Sequence, residues 1–502
     1  MFNLQDGYLA DTPYPHHVQA QTSPSWLCAV LAALGQRAPD LRGGFRYCEL
    51  GCGQGLNSLL LAAANPAGEF VAVDFNPAHI AHGRRQAKAA GLGNLAFVQA
   101  SFAELAERPD AEGFDFIVLH GVYSWVSAAN RAAIRRFIER TLKPGGVVYL
   151  GYMSQPGMSA FAAAQRFLWQ FAQTAEGSVP QRLRQGLAAL REWQAAGAGY
   201  FVEHPDVARR LALTGDDELA FLAHELLCEH WTPLHVAEVI GEFAAIDCRF
   251  LGSATPLENI DAVSLPAHVL PLLGGLADPA LRETAKDMAR NQSQRLDIYQ
   301  RQPQALAAGE HRQALLDGCW GALPGAPVDG GLSFDTRIGP VQGDAELFGP
   351  ILRSLAEGPR SFAELAAHPA LLSQLGALSP ALQMLAWAGH AHPLLAGEVE
   401  VPRCRALNQL LAEGALQGAG YGHLAAPSLG AGLAADMLEM AAARVLLEHP
   451  ALHGRLLAET VAALLRRSGR EVAFDSGESL AERMQRFERQ CLPIWRQLGV
   501  VG

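Results

Sequence analysis

Two carboxylates and three glycines mark the stretch of this chain that can do chemistry. Glu49 stands just before Gly51, Gly53 and Gly55 in FRYCELGCGQGLN, and Asp74 closes the apolar run FVAVDF further on. Tyr47, Cys48 and Leu50 suit a buried strand, and the alternating glycines remove side chains where the backbone must turn into a helix starting near Leu56. A ligand can then lie against bare main chain, facing the N-terminal amides of that helix. An acid about twenty residues beyond such a turn is placed to accept both hydrogen bonds of a ribose diol. A glycine-rich turn alone is equally well an ordinary loop; Asp74 is what raises it.

Glu49 separates two classes of guest. Its charge repels a pyrophosphate but suits the ammonium and sulfonium of S-adenosyl-L-methionine. Leu56 also occupies the place of the third glycine of a dinucleotide-binding turn. The first motif, E-x-G-x-G-x-G, with Asp74 at the end of the second strand, resembles a class I methyltransferase. The cofactor this implies is S-adenosyl-L-methionine.

These residues need a sheet to hold them. The strands RYCEL, FVAVDF, LAFVQAS, FDFIVLHG and VVYLGYM alternate with helical stretches near 56–64, 77–90, 102–108 and 128–142, the last ended by LKPGG. That pattern predicts an α/β, Rossmann-like doubly wound sheet whose ligands sit at the carboxyl ends of the strands. Gly51, Gly53, Asp74, Ser101, Phe102 and His120 fall along that edge. Ser101 holds the place where a methyltransferase often has an aspartate for the adenine amino group. HGVYSWV and YMSQPGM continue the fourth and fifth strands. They bring Tyr123, Trp125 and Tyr152, whose ring faces attract a sulfonium or ammonium by about 0.5–2 kcal/mol. Core packing explains such rings equally well; their place in the fold favours an acceptor pocket of Tyr123 and Tyr152, with His120 as proton acceptor.

The resemblance narrows further along. HGVYSWV, the Pro-Gly after the fifth strand, the N-terminal tyrosine followed by PYP, FLAHELLCEHWTPLHVAEVIGEFAAIDCRFLGSA and DMARNQSQRLDIY together resemble the bacterial methyltransferases that carry a methyltransferase regulatory domain, among them rickettsial-type protein-lysine methyltransferases. Met158 stands where that family has tryptophan. The resemblance implies a protein substrate, with lysine as the acceptor. It also adds Tyr14, Asn57 and Phe75 to the cofactor-binding set. Two rivals stay open: a small-molecule methyltransferase, and a cofactor-binding regulatory protein without catalysis.

At 502 residues the chain exceeds one ordinary core. We expect an N-terminal cap and helix over 1–44, a cofactor-binding core over 45–175, and a helical middle domain over 176–330 with a strand near 248–254. A winged-helix-like module over 337–400 and a helical region over 401–502 follow. The net charge of −11 and the few basic residues of the 337–400 module (Arg353, Arg360) argue against nucleic acid. No apolar run long enough to span a bilayer and no basic-then-apolar leader is seen, which predicts a cytoplasmic protein without stable membrane insertion. A homodimer stays open. No metal is expected: His16 and His17 read as a surface turn, and His224 and His230 are six apart, not on one helix face. Arg290, Asn291, Arg295 and Asp297 read as a buried polar network.

Overall fold

The computed structural model describes residues 4–9, 14–108, 112–212, 219–328, 330–395, 397, 401–470 and 478–501. A short hairpin, β1 (Leu4–Gln5) and β2 (Tyr8–Leu9), precedes α1 (Pro24–Ala33). The chain then alternates β3 (Phe45–Leu50), α2 (Leu56–Ala64), β4 (Gly68–Asp74), α3 (Pro77–Ala89), β5 (Leu95–Gln99), α4 (Phe102–Glu107), β6 (Phe114–Leu119), α5 (Ala128–Thr141) and β7 (Leu142–Met153). These five strands pair in parallel, because each crossover helix returns the chain to the same end of the sheet. With β8 (Cys248–Ser253) and β9 (Gln294–Arg301) the sheet order is β5-β4-β3-β6-β7-β9-β8. The order reverses between β3 and β6, so the crevice for a ligand opens at their carboxyl ends.

Two sequence expectations change in detail. The LKPGG segment is not a free turn: α5 runs straight into β7, and Phe114 pairs with Leu142 but Phe116 with Val147. The residues between, including Pro144, which has no N–H to give, bulge out of the ladder. The segment CRFLGSA does form a strand, β8, but at the outer edge; β9 lies between it and β7, antiparallel to both.

β9 is drawn from the DMARNQSQRLDIY segment, and it carries Arg295 and Asp297 of the expected polar network; Arg290 bonds instead to Glu258 and Ser264, and Asn291 is exposed at the helix end. Arg295 meets Asp297 at 2.8 Å, Asp287 at 2.5 Å and Glu283 at 3.1 Å, and the hydroxyls of Tyr152 and Tyr299 donate to Asp297 Oδ2 at 2.8 and 3.1 Å. One guanidinium and three carboxylates meet in a largely buried region, which makes the cluster a clasp between β7, β9 and the helix Pro279–Arg290.

Beyond the sheet, α6 (Phe161–Thr174), α7 (Val179–Ala195), α8 (Gly199–Glu203), α9 (Pro205–Ala212) and α10 (Leu219–Leu226) enclose a core of their own, which also takes in Leu9 and Trp125. The hairpin and the helices are thereby held over the carboxyl edge of the sheet. α11 (Val236–Ala244) packs under the other face through Val239 and Phe243.

Residues 319–394 hold three helices (Ala345–Glu357, Phe362–Ala366, Leu375–Trp387) on a three-stranded antiparallel sheet of Arg360–Ser361, Cys319–Ala322 and Ala391–Leu394. The C-terminal helices and the hairpin His423–Ala426/Ala431–Ala434 share one core with α1 and α2. Asn65 donates to the Gly430 carbonyl at 2.8 Å, and Ser25 to that of Leu429 at 2.6 Å. Gly432 lies where a Cβ would press on Leu60. The small residues of that stretch are what allow the hairpin to sit on α2. Among the described residues, no helix is long and apolar enough to cross a membrane.

Candidate active site

The turn after β3 is built around the end of β4. The N–H groups of Gly51 and Cys52 donate to the Val73 carbonyl at 2.8 and 2.9 Å, and Gly53 N–H donates to Asp74 Oδ2 at 2.9 Å. Gly55 caps α2 at φ +83°, where the Phe97 ring leaves no room for a Cβ. Gly53, at φ +54°, has only the Tyr14 ring above it, 3.6 Å from the place of a Cβ. The cleft that results occupies about 1200 Å³ including its open mouth.

All ten residues expected to hold the cofactor line this cleft: Tyr14, Glu49, Gly51, Gly53, Asn57, Asp74, Phe75, Ser101, Phe102 and His120. Their roles differ. The Glu49 carboxylate accepts from Asn57 Nδ2 at 3.0 Å and from the Ser58 hydroxyl. Burial pushes its carboxyl up to about 7, against the pull of those two bonds, and the charge of Asp74 adds to the rise. A cation is what this group lacks. Asn57 spends its amide on Glu49 and Thr22, so it orients the acid. Ser101 donates its hydroxyl to Glu104 at 2.9 Å and caps α4; only an acceptor lone pair is left for an adenine amino group.

Tyr123 and Tyr152 are not in the cleft. Both are fully buried. The Tyr123 hydroxyl donates to Glu242 at 2.5 Å and accepts from Arg135 at 2.7 Å, with its ring in the core beside Phe243. Tyr152 points from β7 into the Arg295 clasp. The structure therefore corrects both as acceptor-pocket residues. His120 does reach the cleft, stacked on His17 at 5.3 Å and bonded to the Tyr149 hydroxyl at 2.9 Å. Burial first, then His17, lowers it to about 3, so it is a neutral ring and too weak a base to take a proton from an ammonium. Met158 packs in the helical core, away from the cleft.

Sequence reasoning placed Tyr14 and Trp125 at the site but missed His79 and Tyr8. His79 accepts the Tyr14 N–H on Nε2 at 3.2 Å and lies 3.4 Å from Asp74 through Nδ1, joining the strap at Tyr14 to the second acid. Tyr8 and Trp125 line the cleft. Tyr14 packs on Phe221 and His224 of α10 at 6.0 and 5.1 Å, and Tyr8 on His224 at 5.6 Å and Phe75 at 6.2 Å. The helical middle region thus backs Tyr8 and Tyr14 from outside the cleft.

A turn free of side chains, an acid awaiting a cation and a second acid beside the turn fit S-adenosyl-L-methionine, whose ammonium, sulfonium and ribose diol are the complementary groups. Comparison with known proteins agrees. A methyltransferase domain model matches residues 41–197, and a predicted methyltransferase regulatory domain model matches residues 218–301. An uncharacterised protein of Synechocystis sp., sll1526, is 32% identical over 442 residues, covering 86% of each chain. The chain belongs to the methyltransferases that carry a methyltransferase regulatory domain. This methyltransferase also shares its fold with the structure of PKMT2 from Rickettsia typhi in complex with AdoHcy, at a TM-score of 0.72 and 18% identity over 97% of this chain and 100% of the other. Trans-aconitate 2-methyltransferase of Methylobacterium nodulans is 32% identical over 101 residues, 20% of this chain and 35% of that one. The present chain is an S-adenosyl-L-methionine-dependent methyltransferase with a Rossmann-like sheet.

Proposed function

We propose that this methyltransferase modifies lysine side chains of a protein. The observation that carries the reading is the aromatic roof of the cleft: Tyr8, Tyr14 and Trp125 face a narrow space that suits a long apolar stem with a cationic tip. Among the described residues lining it, none is Lys or Arg, so nothing there would receive an anionic acceptor. The resemblance to rickettsial-type protein-lysine methyltransferases supports the same acceptor.

When bound, S-adenosyl-L-methionine supplies a methyl group on a sulfonium, ready for displacement. The chain's own residues do the rest. In this reading Glu49 holds the ammonium end, Asp74 the ribose diol, and Ser101 and Phe102 the adenine side. The strap at Tyr14, held from behind by α10, excludes water in this reading, which lets fixed geometry replace a bimolecular encounter. The extra helices, read as a regulatory region over 176–330 and packing modules over 337–400 and 401–502, offer the surface a macromolecular substrate needs.

Incubation with methyl-labelled cofactor and protein extract from the source cells, followed by hydrolysis and identification of the labelled amino acid, tests this. Label on lysine is expected. Label confined to small molecules would move the acceptor to metabolites, and cofactor binding without any label would leave a regulatory protein.

A further inference from the structure

The strap that covers the glycine turn, residues 14–19, is pinned at its two ends and carried by side chains between them. Tyr14 N–H donates to His79 Nε2 at 3.2 Å, the Tyr14 carbonyl accepts from Gln54 Nε2 at 2.5 Å, and Gln19 N–H donates to Asn57 Oδ1 at 3.4 Å. Among the described residues, no backbone-to-backbone hydrogen bond holds residues 15–18. Tyr14, Pro15, His16, His17 and Gln19 line the cofactor cleft, whereas Val18 packs into the core shared with the C-terminal helices, 3.4 Å from the place of a Cβ on Gly432. A segment without a ladder of its own stays closed only as well as its side chains are packed.

One of the side chains that pack the strap comes from the far end of the protein. The Tyr421 ring lies 4.4 Å from the His16 ring at an angle of 32°, and its hydroxyl shares a hydrogen bond with His82 Nε2 of α3 at 3.1 Å. His16 and His82 are themselves 5.5 Å apart, ring to ring. On the other side, Gly414 of the helix Val401–Leu416 lies where a Cβ would come within 2.6 Å of Tyr421 Cε2, so the ring rests directly on that helix. Tyr421 is buried and stands outside the cleft. It is the meeting point of the strap, α3 and the C-terminal region.

We propose that Tyr421 is a positioning residue for the cofactor, through which the C-terminal region sets how long the strap stays closed over S-adenosyl-L-methionine; the role rests on the cofactor lying in this cleft. α3 carries His79, which holds both Tyr14 and Asp74, and His82 follows three residues later on the same helix. The strap is thus fastened to one rigid element twice, directly at Tyr14 and by way of Tyr421 at His16. Loss of the second fastening leaves the first, so the cleft still forms but opens more readily. The effect falls on the release of the cofactor rather than on its entry.

The test is calorimetric titration of S-adenosyl-L-methionine, with release of the labelled cofactor followed in time, for the full chain as wild type, Tyr421→Phe, His82→Ala, the double variant of these two, and Tyr421→Ala. Tyr421→Phe and His82→Ala are each expected to bind the cofactor about threefold more weakly through faster release. The double variant should be no worse than either, because both changes remove the same hydrogen bond. Tyr421→Ala also takes the ring from His16 and should lose about tenfold. Wild-type affinity in either single variant, even with a lowered unfolding midpoint, or losses that multiply in the double variant, would overturn the role, and these results decide if Tyr421→Ala does not fold. Asp74→Asn measured alongside keeps the two readings apart. If it weakens binding while the Tyr421 variants do not, the role of Tyr421 alone fails; if it too binds as wild type does, the cofactor is not in this cleft and the role falls with it.

Discussion

The N–H of Gly53 donates to Oδ2 of Asp74 at 2.9 Å. One bond thus joins the glycine turn of β3 to the acid that ends β4, and the His79 ring ties the same acid to the strap above. The glycine turn and the strap are tied to a single carboxylate, the one proposed to hold the cofactor's ribose.

Gly53 sits at φ +54° beneath the Tyr14 ring. Gly53→Arg places a side chain in the left-handed region, at a cost of about 1–2 kcal/mol, and fills the space below Tyr14. We expect S-adenosyl-L-methionine binding to vanish from calorimetric titration while far-ultraviolet circular dichroism keeps its wild-type shape.

Glu49 gives a pH dependence whose sign is fixed. Its carboxyl rises from an ordinary 4.5 to about 7 by burial in the ligand-free fold. Because the folded value lies above the unfolded one, the protonated form contributes stability that is present below pH 4.5 and is lost as the pH rises through 7. A cationic guest reverses the preference, so cofactor affinity should rise over the same window. Glu49→Gln should flatten both trends and bind the cofactor roughly tenfold more weakly at pH 8, read by calorimetry and by unfolding midpoints at pH 5, 6, 7 and 8.

Tyr123→Phe separates core from pocket. It removes a hydroxyl shared by Glu242 and Arg135, but those two still pair at 3.0 Å. A loss of about 1 kcal/mol in urea unfolding is expected, with methyl transfer at the wild-type rate. A large loss of activity without a loss of stability would return Tyr123 to the acceptor pocket.

Arg295→Met leaves Asp287 and Asp297 buried without their cation. Breaking such a cluster costs about 3–5 kcal/mol, so unfolding should shift strongly while the cofactor affinity of the remaining folded protein stays near wild type.

The sequence made the cofactor cleft legible because its determinants are local: glycines where the backbone has positive φ, an acid before them and another at the next strand end. Tyr123 and Tyr152 were misplaced because their directions depend on partners far along the chain, Glu242 and Asp297, and β9 was hidden by its own polar residues. His79 and Tyr14 meet across 65 positions, a contact no spacing rule announces. The hairpin at 423–434 escaped notice for the opposite reason: its Ala and Gly residues carry little strand preference, and it forms because α2 and α1 give it a surface to cover.

In the proposed complex S-adenosyl-L-methionine lies between Glu49 and Asp74 at the carboxyl edge of β3 and β4. Calorimetric titration of the cofactor into wild type and Asp74→Asn tests it most directly. Saturable one-to-one binding by wild type, weakened roughly 10- to 100-fold in Asp74→Asn through loss of the paired acceptor oxygens, is the predicted result. No binding by wild type, or equal affinity in the two proteins, would contradict it.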